Sequence, residues 1–527
     1  NSVHPDVTKD ATIQECLLQF STDQQTFLKK FNFSKSLIPA FYLTQLMTLL
    51  CEFKDVYSQH CYDFGLIDIP FHITLKPDAE LKKQRITKIP IHYKEKIQEI
   101  LDNLEANGII ERVGLHAATN NELGSEFINP VIILPKGDTY KIVIDARLLN
   151  AITDTTKYHF PLLPVQVLIP KINGKIFSIT DLTTAYHQVG LTPETQKLVH
   201  FVVGNEQYKY LRGFYGLRAL PGFFTRIITI LFAPLIKANE IITYIDDILI
   251  QAQNTPQMFK HLRNFHEALR KSKLKAAPDK TFFFLQSVKF LGHLITGNKI
   301  KPLLNKIDAI HKMKTPENKK DVMKLLGALN YYSKYFPNMH VVLAPLYKLL
   351  HNNVHFHWTS EHDDILKQVK ETLTAQCELT LPNTTHPFFI MVDASAIGIG
   401  TVLVQSDEHN QMQVISYNSR LFTENEQKSA IMYRELCAVA YALEIYEFII
   451  IGSKHPITVF TDHKPILSLF ARQGPINQKF FRYQLIFTKF SNLVIFWTRG
   501  KKLALADLLS RNFSNKLLKF QHARHKY

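Results

Sequence analysis

The run Ile241-Ile242-Thr243-Tyr244-Ile245-Asp246-Asp247-Ile248-Leu249-Ile250 is apolar but for a pair of acids near its middle. Two adjacent carboxylates in a strand-like stretch are costly to bury unpaired. A buried hairpin whose turn carries Asp246 and Asp247 lets both emerge at one edge, where a divalent metal offsets their repulsion. An exposed turn is the commoner setting for a bare Asp-Asp pair. A second string shifts that balance. Phe177–Thr180 is another apolar strand, it leads into Asp181, and Ala185-Tyr186-His187-Gln188 follows. Three carboxylates from two strand ends can hold two metal ions. Such a pair activates an attacking 3′-hydroxyl and stabilises a leaving pyrophosphate. Mg2+ suits an all-oxygen ligand set. No Walker-type loop is present, so a triphosphate is expected to be held by metal and basic side chains.

Outward from this centre, helical periodicity marks Tyr93–Ala106, and Phe259–Ser272 reads as a helix. Pro130–Pro135 and Lys141–Asp145 read as two strands joined by Lys136-Gly137-Asp138. Residues 1–85 look mixed, with one amphipathic helix near Tyr42–Phe53. A helical stretch runs from about Pro302 to Leu350, with a helix start expected at Thr315-Pro316-Glu317. Trp358–Gln376 is a further helix. A third unit begins near Thr385. Pro387–Asp393 and Gly398–Gln405 look like paired strands, Leu436, Val439, Ala440 and Leu443 have helical spacing, and Pro456–Asp462 is another strand. Interleaved strands and helices predict an α/β unit with its own core. It carries Asp393, Glu435, Asp462 and Asp507 on separate elements. Four such acids meet only if folding brings them together, and singly each is more commonly a surface acid.

The 527 residues are 46% hydrophobic, enough for more than one core, and 20% charged, which excludes the composition of a disordered chain. The formal charge of +16 suits a polyanionic partner, although charge alone serves solubility equally well. Its distribution is more telling. Lys260–Lys320 holds fifteen Lys and Arg against four Asp and Glu, and the tail after Ser510 has five basic residues and no acid. Five cysteines without CxxC spacing argue against a disulfide framework or a structural zinc, and fit a reducing compartment. No apolar run is long enough to span a bilayer, and nothing resembles a signal peptide.

Taken in order, these strings resemble the polymerase region of gypsy-type LTR retrotransposons, the Metaviridae, from about Phe53 to Arg511. Phe53-Lys54-Asp55-Val56-Tyr57 and Gly108-Ile109-Ile110-Glu111 match its first segments. Pro130-Val131-Ile132-Ile133-Leu134-Pro135-Lys136 and Asp145-Ala146-Arg147-Leu148-Leu149-Asn150 match its fingers. Phe177–Gln188 and Tyr244–Asp247 match the palm, and Phe290-Leu291-Gly292-His293 the primer-side grip. Gly327-Ala328-Leu329-Asn330-Tyr331-Tyr332 and Ala344-Pro345-Leu346 match the thumb. Val392-Asp393-Ala394-Ser395, Tyr433-Arg434-Glu435-Leu436, Thr461-Asp462-His463-Lys464-Pro465 and Ala506-Asp507 with Ser510-Arg511 match its ribonuclease H.

The resemblance implies an α+β multidomain fold: a right-hand polymerase of fingers, palm and thumb, followed by an α/β ribonuclease H-like domain. The expected division is 1–85 as an N-terminal extension, 86–295 fingers and palm, 296–385 helical thumb and linker, 386–512 ribonuclease H, and 513–527 a basic tail. It implies RNA- and DNA-directed DNA synthesis, with ribonuclease H removing RNA from the hybrid. The alternative is an inactive, domesticated nucleic-acid-binding relic of the same fold. Asp181, Asp246 and Asp247 are the implied polymerase metal ligands, and Asp393, Glu435, Asp462 and Asp507 those of the nuclease. Each site is expected to take two Mg2+, with Mn2+ as a substitute. Tyr186 is placed under the incoming sugar, excluding a 2′-hydroxyl. Lys136, Lys141 and Arg147 on the finger strands, with Tyr215 and Gly216, are the other implied nucleotide contacts. His463 is given a structural role. Expected partners are an RNA template, a DNA primer, the RNA–DNA hybrid and deoxynucleoside triphosphates, with a tRNA primer and a homodimer as further family expectations and no membrane. The expected location is the cytoplasm, within virus-like particles, and the chain is expected to be one product of a longer polyprotein. Departures from the pattern are Lys141 for Arg, Ala219 for Asn, Gly222 for Ala and Leu503 for Asn; none removes an implied ligand.

Overall fold

In the computed structural model of the chain, residues 5–80, 93–113, 127–136, 139–156, 160, 163–375, 378–409, 411–471 and 478–498 are described. The chain forms two compact units, Asn1–Val288 and Lys289–Tyr527.

The first unit is built around a four-stranded antiparallel sheet, in the order Ile241–Tyr244, Asp247–Ala252, Ile176–Asp181 and Phe282–Leu285. The apolar run that opened the sequence reading is therefore a hairpin. Its turn holds Ile245 at φ 56, a left-handed conformation that a β-branched residue adopts only under constraint. Helix Thr255–Ser272 packs on this sheet through Met258, Leu262, Phe265, His266 and Leu269, all buried. Asn254 caps its first turn by accepting from Gln257 N, so the helix begins four residues before the expected Phe259. A second sheet, Ile110–Arg112, Glu206–Tyr210, His200–Val203 and Ile128–Asn129, adjoins the hairpin Val131–Lys136 with Thr139–Ile144 in sequence.

The N-terminal residues hold three helices where one was expected: Pro5–Leu17, Thr22–Leu28 and Ala40–Glu52. They belong to the same hydrophobic core as the palm sheet, with Phe27, Leu28, Leu46, Leu50, Phe53 and Tyr57 buried. Polar pairs tie the two regions together. Tyr57 Oη lies 2.7 Å from His266 Nε2, Arg263 forms a fork on Glu52 at 2.7 and 2.9 Å, and Arg270 pairs with Asp55. Sequence periodicity missed the first two helices because Thr22–Leu28 spans only seven residues and Pro5–Leu17 carries little apolar periodicity; both pack on the neighbouring helix Ala40–Glu52.

In the second unit, His293–Thr296, Lys299–Pro302 and Leu379–Thr380 form an antiparallel ladder at the two ends of the helical stretch, so the expected thumb and linker also contains strand. Its helices are Leu304–His311, Lys319–Asn330, Met339–Val342, Ala344–Lys348 and Ser360–Ala375. The start expected at Thr315-Pro316-Glu317 is displaced to Asn318. Its side chain accepts from Asp321 N at 3.0 Å and donates to the Asp321 carboxylate at 2.8 Å. Asn is a better cap than Thr, and the acid at the third helical position reciprocates.

The remainder is a five-stranded mixed sheet in the order Met412–Leu421, Gly398–Ser406, Phe388–Ala394, Ile457–Thr461 and Leu493–Trp497. The first three strands are antiparallel and the last two pairings parallel. Helix Ile431–Ile450 covers one face over Phe388, Ile390, Val392, Ile399 and Leu403. The other face holds Phe389, Met391, Val402, Val404 and Phe460. Alternation along each strand assigns these residues to opposite faces. Among the described residues, no helix is long and apolar enough to cross a membrane.

Candidate active sites

Asp181 ends its strand directly opposite Asp247 in the ladder. Residues so paired project to the same face with Cβ atoms roughly 4.5–5.5 Å apart. Asp246 stands in the adjoining hairpin turn. Burial pushes the Asp247 carboxyl up to about 6, and repulsion from Asp246 and Asp181 adds to the shift. Asp181 is raised for the same first reason, although the Lys280 ammonium bound to it 2.5 Å away draws it down. Asp181, Asp246 and Lys280 line a cavity of about 660 Å3 with Tyr215, His187 and Tyr140.

Tyr186 sits on the short turn Ala185–Gln188, with its ring 5.1 Å from Tyr215 and 5.9 Å from Phe224. Burial, then the charge of Asp246, pushes its phenol up to about 12, so it stays neutral beside the acids. Gly216 has φ 113, a region closed to most side chains, and its carbonyl accepts from Asn150 Nδ2 at 2.8 Å. Asn150 Oδ1 accepts from Arg218 N at 2.8 Å, so one amide clamps both sides of this loop. Arg147 opens helix Arg147–Ile152 rather than lying on a strand. Its guanidinium folds back on Asp145 at 2.6–3.1 Å, and it is not among the cavity-lining residues. Lys136 and Lys141 occupy the described finger hairpin, but their side chains lie outside what is described.

In the second unit, Asp393 lies near the end of its strand, Glu435 is buried on the covering helix, and Asp462 directly follows Ile457–Thr461. Burial pushes Glu435 up to about 8, with Asp462 and Asp393 adding to it, and Asp393 is raised by burial and by Asp462. Glu435 Oε2 is buried without a hydrogen-bond partner among the described residues. An orphaned carboxylate oxygen facing two further acids fits a cation, because a hard divalent ion satisfies it and cancels the repulsion. Asp507 lies outside the described residues. Among those described, no three acids, histidines or cysteines stand in a finished ligand arrangement. Both clusters are grouped rather than preformed, and the polymerase cluster is partly engaged by Lys280.

Sequence reasoning missed Lys280 and Asn150. Lys280 was visible only as one of fifteen basic residues, and Asn150 only as part of a matched string.

Two families match the chain. Residues 134–295 match reverse transcriptase (RNA-dependent DNA polymerase), and residues 383–490 match the RNase H-like domain found in reverse transcriptase. The Retrovirus-related Pol polyprotein from transposon 412 of Drosophila melanogaster is 28% identical over 486 residues, covering 90% of this chain and 38% of the fly protein. The Transposon Tf2-3 polyprotein of Schizosaccharomyces pombe (strain 972 / ATCC 24843) is 26% identical over 385 residues, 72% of this chain and 29% of the yeast protein. The chain thus spans well under half the length of these relatives. Among solved structures, a foamy viral protease-reverse transcriptase in complex with RNA/DNA hybrid superposes with a TM-score of 0.72 at 21% identity, over 90% of this chain and 63% of that one. Fold and motifs together define a right-hand polymerase joined to a ribonuclease H-like domain. The chain carries a reverse transcriptase domain and an RNase H-like domain in that order, and its matching relatives are Pol polyproteins of LTR-type transposons.

Proposed function

We propose that the chain copies retroelement RNA into DNA and cleaves the RNA of the resulting hybrid, at two separate carboxylate sites. The carrying observation is the ladder pairing of Asp181 with Asp247, with Asp246 in the adjoining turn, at the edge of a cavity. Asp181, Asp246 and Asp247 would hold Mg2+ in the polymerase, and Asp393, Glu435 and Asp462, with Asp507, in the nuclease; Mn2+ has the same oxygen preference. When bound, the metal pair supplies charge neutralisation at the attacking and leaving oxygens.

The chain's own residues do the rest. Tyr186 and Tyr215 form an aromatic floor beside the acids, which favours a deoxyribose and disfavours a 2′-hydroxyl. Asn150 holds the Gly216 loop in register beneath it. Lys136, Lys141 and Arg147 meet the triphosphate, Arg147 after exchanging Asp145 for phosphate. Helix Lys319–Asn330 supports a duplex grip: Lys320, Met323, Lys324 and Gly327 form one exposed stripe of basic, flexible and small residues. Partners on this reading are an RNA template, a DNA primer and deoxynucleoside triphosphates, with a tRNA as the natural primer. The division into extension, fingers and palm, thumb, nuclease and tail goes with it, as do a homodimer and a site of action in cytoplasmic virus-like particles.

Primer extension on poly(rA)/oligo(dT) with Mg2+ tests the polymerase. The wild-type chain extends, and Asp246→Asn abolishes extension. Asp393→Asn stops hybrid cleavage and leaves extension intact. A wild-type chain that binds primer–template but performs neither reaction is the inactive relic instead.

A further inference from the structure

The nuclease sheet receives a side chain from outside its own α/β unit. Asp393 is paired directly with Gly400. Paired residues share a face, so the missing side chain at 400 leaves a gap beside the Asp393 carboxylate. Asn338 fills it. A Cβ at 400 would collide with Asn338 Oδ1 and stand 2.7 Å from its Cγ. Two residues earlier on the same face, a Cβ at Gly398 would meet the Arg420 carbonyl oxygen at 2.6 Å and Val341 Cγ2 at 3.0 Å.

The turn that presents Asn338 is pinned to the sheet. His340 N donates to Ser419 Oγ at 3.0 Å, and His340 Nδ1 is 3.1 Å from the same hydroxyl. Met339 and Leu343 are fully buried on either side. Asn338 itself is exposed and left-handed, with φ 53, a conformation that Asn tolerates better than most residues. An exposed amide is thus held next to a nuclease carboxylate by an anchored turn and by the glycine at 400 that gives way to it.

We propose that Asn338 is a specificity-determining residue of the nuclease, whose amide hydrogen-bonds a 2′-hydroxyl of the RNA strand beside the bond cut at Asp393. The inference rests on the nuclease reading above and adds a contact to it. An amide offers a donor and an acceptor together, which matches a hydroxyl. The 2′-hydroxyl is the group by which a protein tells RNA from DNA at a given position.

Three variants of the full chain separate this contact from packing. Asn338→Gly removes the amide and relaxes the left-handed backbone. Gly400→Ala displaces the amide. The double variant removes the clash and still lacks the amide. On an RNA–DNA hybrid, Asn338→Gly is expected to raise KM about tenfold with little change in kcat, the loss of one hydrogen bond. The double variant is expected to share that defect. A series of hybrids with single 2′-deoxy substitutions around the cut gives the signature: one position penalises the wild type and costs Asn338→Gly nothing further. A wild-type KM in the double variant, or equal penalties at every position, overturns the proposal. The 2′-deoxy series with Asn338→Gly decides the matter even if Gly400→Ala does not fold. A wild type that cleaves no hybrid instead overturns the nuclease reading itself, and that result comes before any variant is compared.

Discussion

At the residue scale, both sites are places where charge is held at a cost. Asp247, raised to about 6, must lose its proton before it can ligate a metal. Primer extension should therefore fall as pH drops below about 6, and more Mg2+ should move the fall to lower pH, because metal and proton compete for one oxygen. Rate profiles at two Mg2+ concentrations check this, and coincident midpoints would refute it. Glu435 makes a stability statement. Its carboxyl is raised from 4.5 to about 8, so across that window the folded chain holds more protons than the unfolded one. Stability in EDTA should decline as pH rises through the window. Glu435→Gln should flatten the decline and raise Tm at pH 8 while abolishing hybrid cleavage; thermal melts of both chains over pH decide it. Asp181, Asp246 and Asp247 stood out in the sequence because acids set against apolar strands are costly to bury; Asp393, Glu435, Asp462 and Asp507 were singled out as a set only by the resemblance, and Asp507 lies outside the described residues. Lys280, Asn150 and Asn338 were not legible, since a lone Lys or Asn acquires a role only from what approaches it in space.

At the element scale, the hairpin, the palm strands and the long helices were readable from periodicity, and their ends shifted wherever a cap outranked the pattern. Asn254 set a helix start that apolar spacing misplaced, and Asn318 took the cap that Thr315 before Pro316 was expected to supply. Gly327 is a different kind of signal. It lies within helix Lys319–Asn330 on an exposed turn, with open space where a side chain would be. Nothing within the fold requires a glycine there. Gly327→Ala should stabilise the helix by about 1 kcal/mol, measurable as a raised urea midpoint at unchanged m. A lowered midpoint would mean that the helix packs differently.

At the scale of the whole molecule, the excess of 62 Lys and Arg over 46 Asp and Glu points to electrostatic hold on a polyanion. If six or more phosphates are contacted, affinity for primer–template should drop on the order of 10^3-fold between 50 and 200 mM salt. A salt titration of binding, with a slope near zero, would deny the phosphate grip. The α/β element pattern after Thr385 was readable from its interleaved strands and helices, because such a pattern needs its own core; the division of the chain between Val288 and Lys289 was not. Nor was the integration of the first helices, since no local pattern announces a partner two hundred residues away.

That integration bears on how such elements can evolve. Tyr57 with His266, Arg263 with Glu52, and Arg270 with Asp55 are matched across the chain. A recombination event that swapped polymerases between two elements at a breakpoint after residue 60 would inherit one half of each match. Where the donor has no tyrosine at position 57, the hybrid gene would encode an imidazole sealed in the core without its phenol. Viable exchanges should therefore carry the leading helices along with the catalytic segment.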